Sequence, residues 1–144
     1  MEKIKLTIFN ICGAIGSFIS FLLGGWTQTM TTLVAFMALD YLTGLIVAGV
    51  FKKSKKTKSG ALESNVGYKG MVKKGIMLSM VYVAVRLDIT LEVDFIKDYT
   101  IYGLIGIELI SLVENWGLMG LPVPKALKNA IDKLVNREEE ARNV

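Results

Sequence analysis

Three carboxylates stand inside otherwise apolar blocks of the sequence, and they are the residues best placed to do chemistry. Asp40 lies near the middle of one block, and Glu108 and Glu114 lie in another. If these blocks cross a membrane, each ionised side chain near the bilayer centre costs at least about 2.5–3.5 kcal/mol on insertion scales. We therefore expect the three groups to face water or polar partners, not bare lipid.

Helical spacing joins four polar side chains of the later block into one arc. At about 100° per residue, Asn115 falls close to Glu108, and Ser111 and Glu114 continue round the helix. Three roles fit such an arc: lining a water-filled pore together with Asp40, hydrogen bonding between packed helices in an assembly, or relaying protons or ions. The pattern alone leaves these roles open.

The composition argues against an enzyme. The 144 residues include no histidine, which removes the commonest general base and the commonest metal ligand. The glycines around Gly70 and Gly75 are not followed by the Lys-Ser/Thr pair of a nucleotide-binding loop. Cys12 is the single cysteine, so an intrachain disulfide is excluded. We predict no catalytic residue, no cofactor and no bound metal.

The apolar residues gather in long blocks with the charges between them, which is typical of a polytopic membrane protein. A spanning helix needs about 20 mostly apolar residues. The sequence predicts an all-α fold in a single membrane domain, with three to four transmembrane helices and a C-terminal amphipathic helix. The predicted segments are a first helix at about 6–26, a second at about 30–51, a basic loop at 52–74, a third helix at about 75–95, a fourth at about 100–121 and an amphipathic tail at 123–144.

The third segment has the shortest uncharged stretch. Residues 75–85 are too few to span a bilayer unless the helix continues past Arg86 and Asp88 toward Phe95. We predict a spanning helix in which Arg86 and Asp88 pair near the far interface, and a re-entrant segment is the alternative.

A cluster of lysines follows the second segment. Its members are Lys52, Lys53, Lys55, Lys56 and Lys58, with Lys73 and Lys74 further on. By the positive-inside rule they place this loop, and with it both termini, on the cytoplasmic side of the membrane. We expect the loop to contact anionic phospholipids. Because the lysines directly follow an apolar block and lack interleaved aromatic residues, nucleic-acid binding is not expected.

Small residues recur along the first segment at every fourth position. Gly16, Ser20 and Gly24 form one row, Gly13 and Ser17 repeat the spacing beside it, and Gly44 with Ala48 gives a weaker version in the second segment. Such rows allow two helix backbones to approach closely. We expect the row in the first segment to mediate self-association or packing within the chain.

The tail has one apolar and one charged face. Beyond Pro122 and Pro124, which stop the preceding helix, helical spacing puts five apolar residues on one side: Val123, Leu127, Ile131, Leu134 and Val135. This pattern predicts an amphipathic helix that lies on the inner membrane surface.

Four stretches of the chain are distinctive when taken together. They read DYLTG at 40–44, SNVGYKGMVKKG at 64–75, ELISLVEN at 108–115 and GLPVP at 120–124. Through them the chain resembles, over most of its length, the bacteriophage holin family, which includes the toxin-secretion holins of clostridia. The resemblance implies a protein that oligomerises in the bacterial cytoplasmic membrane. It also implies that the oligomer opens lesions through which an endolysin, or in the toxin branch a large toxin, leaves the cytoplasm.

Two other functions remain compatible with the residues. A small multidrug or ion transporter also places a carboxylate inside a compact helical bundle, and Glu108 would take that role. The amphipathic tail and the long lysine loop argue against a transporter. An antiholin, which blocks a partner holin, is the second alternative, since such a protein closely copies the one that it inhibits.

Overall fold

The fold is described from a computed structural model, which gives the backbone of residues 1–142 and the side chains of residues 1–133 and 136. This part of the chain contains five α-helices: α1 (Glu2–Leu22), α2 (Gln28–Gly49), α3 (Ser64–Leu91), α4 (Ile96–Leu118) and α5 (Lys125–Arg142). Three of them, α1, α2 and α4, are long and apolar enough to cross a membrane. The predicted all-α polytopic membrane fold is therefore confirmed.

Helices α2, α3 and α4 pack into a bundle, and the contact between α2 and α4 is the most extensive. The Lys97 ammonium at the start of α4 donates hydrogen bonds to the carbonyls of Gly24 (2.9 Å) and Gly25 (3.3 Å), just before α2. Helices α2 and α4 consequently begin at the same end of the bundle and run parallel, with α3 antiparallel to both. The buried apolar core lies in the half of the bundle near this end: Leu23, Met30, Leu33, Met37, Met77, Val81, Ile101, Leu104 and Ile105.

Helix α1 stands apart from this bundle. None of its residues is buried, and large apolar side chains such as Phe9, Ile15 and Phe21 are more than half exposed. Burying an apolar side chain of this size is favourable by about 1.5–3 kcal/mol. An apolar helix with no buried residue among the described part of the chain therefore requires lipid or another protein around it.

Local signals fix the ends of the first two helices. Gly24 (φ +69°) and Gly25 (φ +87°) adopt left-handed backbone conformations, which end α1 at Leu22 and not at residue 26 as predicted. The Thr27 hydroxyl then accepts a hydrogen bond from the Met30 amide at 3.2 Å. This N-cap starts α2 at Gln28, two residues before the predicted start.

The predicted boundary between the basic loop and the third helix is wrong. Helix α3 starts at Ser64, eleven residues before the predicted 75, and the loop is confined to residues 50–63. Two glycines lie near its start, yet Gly67 and Gly70 are helical and face the Tyr41 side chain, where a Cβ atom added at either position would lie 3.7 Å from the nearest Tyr41 atom. Tertiary packing on Tyr41 offsets the helix-weakening effect of glycine here.

The 28-residue length of α3 corresponds to about 42 Å, yet its longest uncharged stretch is residues 75–85. The outward face of this stretch and of the next turn is largely apolar, since Ile76, Met80, Val83 and Leu87 are exposed. A fourth membrane crossing by α3 stays a prediction.

Helix α4 begins at Ile96, four residues before the predicted start, and ends at Leu118. The predicted tail is the helix α5, whose first amides, of Leu127 and Lys128, donate to the Pro124 carbonyl. Leu127 and Ile131 of this helix, and Val123 just before it, are half-buried, and the lysines of the helix are exposed. The other two predicted apolar positions, Leu134 and Val135, lie outside the described side chains, and residues 143–144 lie outside the described backbone.

The early start of α4 is explained by Asp88, a buried residue of α3. Its two carboxylate oxygens accept hydrogen bonds from the backbone amides of Ile96 and Lys97, each at 2.9 Å. The carboxylate thus caps the positive end of the α4 dipole. The predicted pair between Arg86 and Asp88 is wrong, because Arg86 is exposed and the amides of α4 occupy both oxygens.

We expect Asp88→Ala to lower the free energy of unfolding by about 1–2 kcal/mol, because two helix-end amides lose their acceptor. Unfolding of the purified protein in mixed detergent micelles, followed by circular dichroism, measures this change. Asp94→Ala removes an exposed carboxylate from the same turn and serves as the control. Equal losses for the two variants would contradict the capping role.

Candidate functional site

A buried cluster of three charged side chains lies where α2, α3 and α4 meet. The Lys74 ammonium contacts Oδ2 of Asp40 at 2.5 Å and also donates to Oε2 of Glu108. Asp40 and Glu108 are buried, at 5% and 2% exposure. We call these three residues the charge triad. Two of the three carboxylates singled out in the sequence thus contact Lys74, which the sequence analysis had assigned to the basic loop.

The parallel arrangement of α2 and α4 explains why the two carboxylates meet. Asp40 stands twelve residues after Gln28, and Glu108 stands twelve residues after Ile96. Since both helices start at the same end of the bundle, the two side chains lie at the same depth, about 18 Å along each helix. Lys74 of the antiparallel α3 reaches that depth from the other direction.

Asn115 extends the polar contact between α2 and α4. Its Nδ2 group donates to Oδ1 of Asp40 (3.1 Å), to the Asp40 carbonyl (3.3 Å) and to the Thr43 hydroxyl (2.9 Å). Asp40 therefore accepts hydrogen bonds on both carboxylate oxygens, one from Lys74 and one from Asn115. Such bonds favour the ionised form of a carboxyl group.

The predicted polar arc of α4 divides between the packed interior and the surface. Glu108 and Asn115 are buried, Ser111 is half-buried and Glu114 is exposed. All four line one cavity of about 130 Å³, which begins at the charge triad and continues between α2 and α3 toward the loop at residues 50–63. On the other side of the triad the apolar core closes the bundle.

The charges of the triad do not balance. Two carboxylates share one ammonium, and the two carboxylate oxygens that contact it cannot be more than 5.0 Å apart, which is twice the longer contact of 2.5 Å. At that distance two unit charges repel by about 3 kcal/mol for an effective dielectric constant of about 20. With all three groups ionised, the triad would hold one uncompensated negative charge inside the bundle.

Comparison with known proteins identifies the family. Residues 17–136 match the sequence profile of the bacteriophage holin family. The chain belongs to this family. The resemblance predicted from the four sequence stretches is therefore confirmed, and the family is one of membrane pore-forming proteins.

Relatives of this holin-family protein occur in species of Clostridium, Halalkalibacterium and Listeria. An uncharacterised 14.9 kDa protein from the nagH 3' region of Clostridium perfringens is 36% identical over 127 residues, which are 87% of this chain and 90% of that protein. An uncharacterised protein of Halalkalibacterium halodurans is 38% identical, over 85% of this chain and 89% of its own. One from Listeria monocytogenes is 35% identical, over 85% and 82% respectively. No solved structure matches the chain significantly.

The first glycines of the small-residue rows in α1 meet no other part of the described structure of this holin-family protein. A Cβ atom added at Gly13 or Gly16 would meet nothing within 4 Å, and Ser17 is exposed with Ser20 half-buried. Gly24 lies beyond the helix in a left-handed conformation, with its added Cβ 3.0 Å from Val85. It therefore belongs to the turn and not to a helix-packing row.

Gly44 is in contact inside the bundle, where an added Cβ would lie 3.9 Å from Nδ2 of Asn115. It adjoins the hydrogen bonds between α2 and α4. Among the described residues, α1 does not pack into the bundle. Self-association through α1 stays a prediction.

The predicted basic loop also divides into two parts. Five lysines lie in the loop before α3 and are exposed: Lys52, Lys53, Lys55, Lys56 and Lys58. Lys73 and Lys74 instead belong to α3, with Lys73 exposed and Lys74 in the charge triad. Assigning Lys74 to a cytoplasmic loop was wrong, because α3 begins ten residues before it and carries it between α2 and α4. The position of Lys74 directly before the uncharged stretch 75–85 is the sequence feature that could have indicated its place inside the bundle.

Proposed function

We propose that this holin-family protein assembles in the bacterial cytoplasmic membrane and opens lesions that release macromolecules from the cytoplasm. The observation that carries the proposal is α1, an apolar helix of spanning length of which no residue is buried in its own chain. A helix of this kind is available for contact with lipid and with further copies. Its row of small residues is suited to close helix–helix contact.

The polar residues supply a surface that can face water in such an assembly. Glu114 is exposed on α4 and Lys73 is exposed on α3, both at the cavity beside the charge triad. Exposed charged groups at this depth are stable only against water or a polar partner. Lateral assembly of several copies provides either environment.

The orientation proposed here places both termini and residues 50–63 in the cytoplasm. The five exposed loop lysines support it through the positive-inside rule. Each lysine near an anionic membrane surface contributes about 1 kcal/mol of attraction, so contact with anionic phospholipids belongs to the same proposal. The proposed cargo is an endolysin, for host cell lysis, or a large toxin. Family membership is the support for this part of the proposal.

A multidrug transporter fits the structure less well than a holin. Pockets for drug-sized ligands typically enclose about 300–1,000 Å³, whereas the cavity beside Glu108 measures about 130 Å³. The buried carboxylate that made a transporter plausible is occupied by Lys74.

The proposal predicts abrupt lysis when expression is induced in a bacterium that carries a cytoplasmic endolysin and a smaller cytoplasmic reporter protein. Culture density and reporter release are followed together. We expect both to change within one short interval, with a density fall that requires the endolysin. Cells with the endolysin but without this protein are the control.

Continued growth with an intact permeability barrier, despite membrane insertion verified by fractionation, would contradict a holin. In that case co-expression with a lytic holin tests the antiholin alternative. Delayed lysis would then favour an antiholin, and substrate-specific export lost in Glu108→Gln would favour a transporter.

A further inference from the structure

The charge triad offers its two carboxylates unequal surroundings. Among the described residues, Asp40 has two side-chain donors, Lys74 and Asn115, one on each carboxylate oxygen. Glu108 has one, Lys74, on Oε2. The single ammonium can balance only one of the two negative charges. The surplus charge therefore falls on Glu108, the group with fewer donors.

From this geometry we infer that Glu108 carries an exchangeable proton at neutral pH, and that the cavity beside it is the water path by which the proton exchanges. The binding site is the charge triad, and its ligand is a proton. Neutralising Glu108 leaves Asp40 and Lys74 as a balanced ion pair inside the bundle. This inference does not depend on whether the protein opens lesions.

The cavity has the size and chemistry for such a path. Its volume of about 130 Å³ is well above the roughly 10–15 Å³ that a single water molecule needs. Polar groups from α2, α3 and α4 line it from the triad to the surface. Beyond the triad, the side chains of Leu33, Met37 and Leu104 belong to a packed apolar core, so the path leads toward the loop end only.

Other titratable groups face the same cavity, and they do not remove the surplus charge. They are Tyr41 of α2, Lys55, Lys56 and Glu63 before α3, Lys73 of α3 and Glu114 of α4. The lysines among them are exposed, so water and salt screen their interaction with the buried triad. None of them contacts Glu108 within the ion-pair distance that Lys74 satisfies.

The test is infrared spectroscopy of the full-length protein at pH 7, where a carboxyl group in water is ionised, in vesicles of ether-linked lipids, which have no ester carbonyl band. We expect the carbonyl stretch of a protonated carboxyl group in the wild-type spectrum. The band should shift rapidly in D2O, because the cavity admits water. Absence of the band at pH 7 in protein whose circular dichroism is helical would overturn the inference, and so would a band that fails to shift within hours.

Two variants and a control test whether Glu108 is the residue that carries the proton. Glu108→Gln should abolish the band, since glutamine mimics the neutral side chain and is expected to leave the bundle folded. Asp40→Asn should also abolish it, because Glu108 then becomes the sole partner of Lys74 and ionises. Glu114→Gln changes an exposed carboxyl at the same cavity and should keep the band. A band that survives Glu108→Gln or is lost in Glu114→Gln contradicts the assignment.

A second measurement identifies the residue directly without a variant. Dicyclohexylcarbodiimide reacts with protonated carboxyl groups in apolar surroundings, and peptide mass spectrometry locates the adduct. We expect the adduct on Glu108. An adduct on Asp40 alone would overturn the assignment of the proton to Glu108.

Discussion

Replacing Lys74 by methionine is expected to lower the free energy of unfolding by about 3–5 kcal/mol, the usual cost of removing one partner from a buried ion pair. Lys74 contacts both Asp40 and Glu108, and methionine fills a similar volume without a charge. The loss therefore reports the electrostatic contribution of the ammonium and not a cavity. Unfolding in mixed detergent micelles, followed by circular dichroism, measures it.

The adjacent lysine provides a matched control for this prediction. Lys73 lies on the same helix but is exposed, and Lys73→Met is expected to change the free energy of unfolding by no more than about 0.5 kcal/mol. A triple variant that combines Lys74→Met with Asp40→Asn and Glu108→Gln should recover most of the loss, because no unpaired charge remains. Similar losses for Lys73→Met and Lys74→Met would show that the triad does not stabilise the bundle.

The apolar blocks of the sequence were sufficient to predict α1, α2 and α4. Each contains an uncharged or nearly uncharged run of spanning length, and length and composition are what a bilayer selects. The exact ends of these helices depend instead on single residues. The left-handed Gly24 and the Thr27 cap set the turn between α1 and α2, and such details shift boundaries by a few residues without changing the pattern.

The start of α3 and the charge triad could not be predicted in the same way, because they depend on contacts between distant parts of the chain. Lys74 is 34 residues from each of its carboxylate partners. From the sequence it was one more lysine in a basic region, and the positive-inside rule assigned it to the loop. The start of α3 depends in turn on the packing of Gly67 and Gly70 against Tyr41, which no local propensity signals.

The carboxylates themselves were recognisable for a simple physical reason. A buried charge in an apolar helix needs a partner, so Asp40 and Glu108 were expected to meet polar groups, and they do. Two buried carboxylates also need a cation at the same depth in the bundle. Lys74, directly before the uncharged stretch 75–85, was the residue best placed to provide it.

The second large effect is expected in α1, where Gly13→Leu combined with Gly16→Leu should weaken self-association by roughly tenfold or more, which corresponds to about 1.4 kcal/mol. A Cβ at either position meets nothing within 4 Å in the chain, so the fold of the single copy should be unchanged. The added leucines would instead hold apart a second helix packed on this face. Crosslinking in membranes and the onset of lysis measure the effect together.

Two features of α1 make this variant a discriminating one. Gly24, which the sequence pattern placed in one row with Gly16, is left unchanged, because its left-handed backbone and the nearby Val85 side chain would turn a substitution there into a folding defect. Ala14→Leu is the control, since it places a leucine about 100° round the helix from Gly13 at another exposed position. We expect Ala14→Leu to assemble and lyse like the wild type. If the Gly13/Gly16 double variant assembles equally well, then α1 does not join the copies through these two glycines, and the contact lies on another exposed surface of the protein.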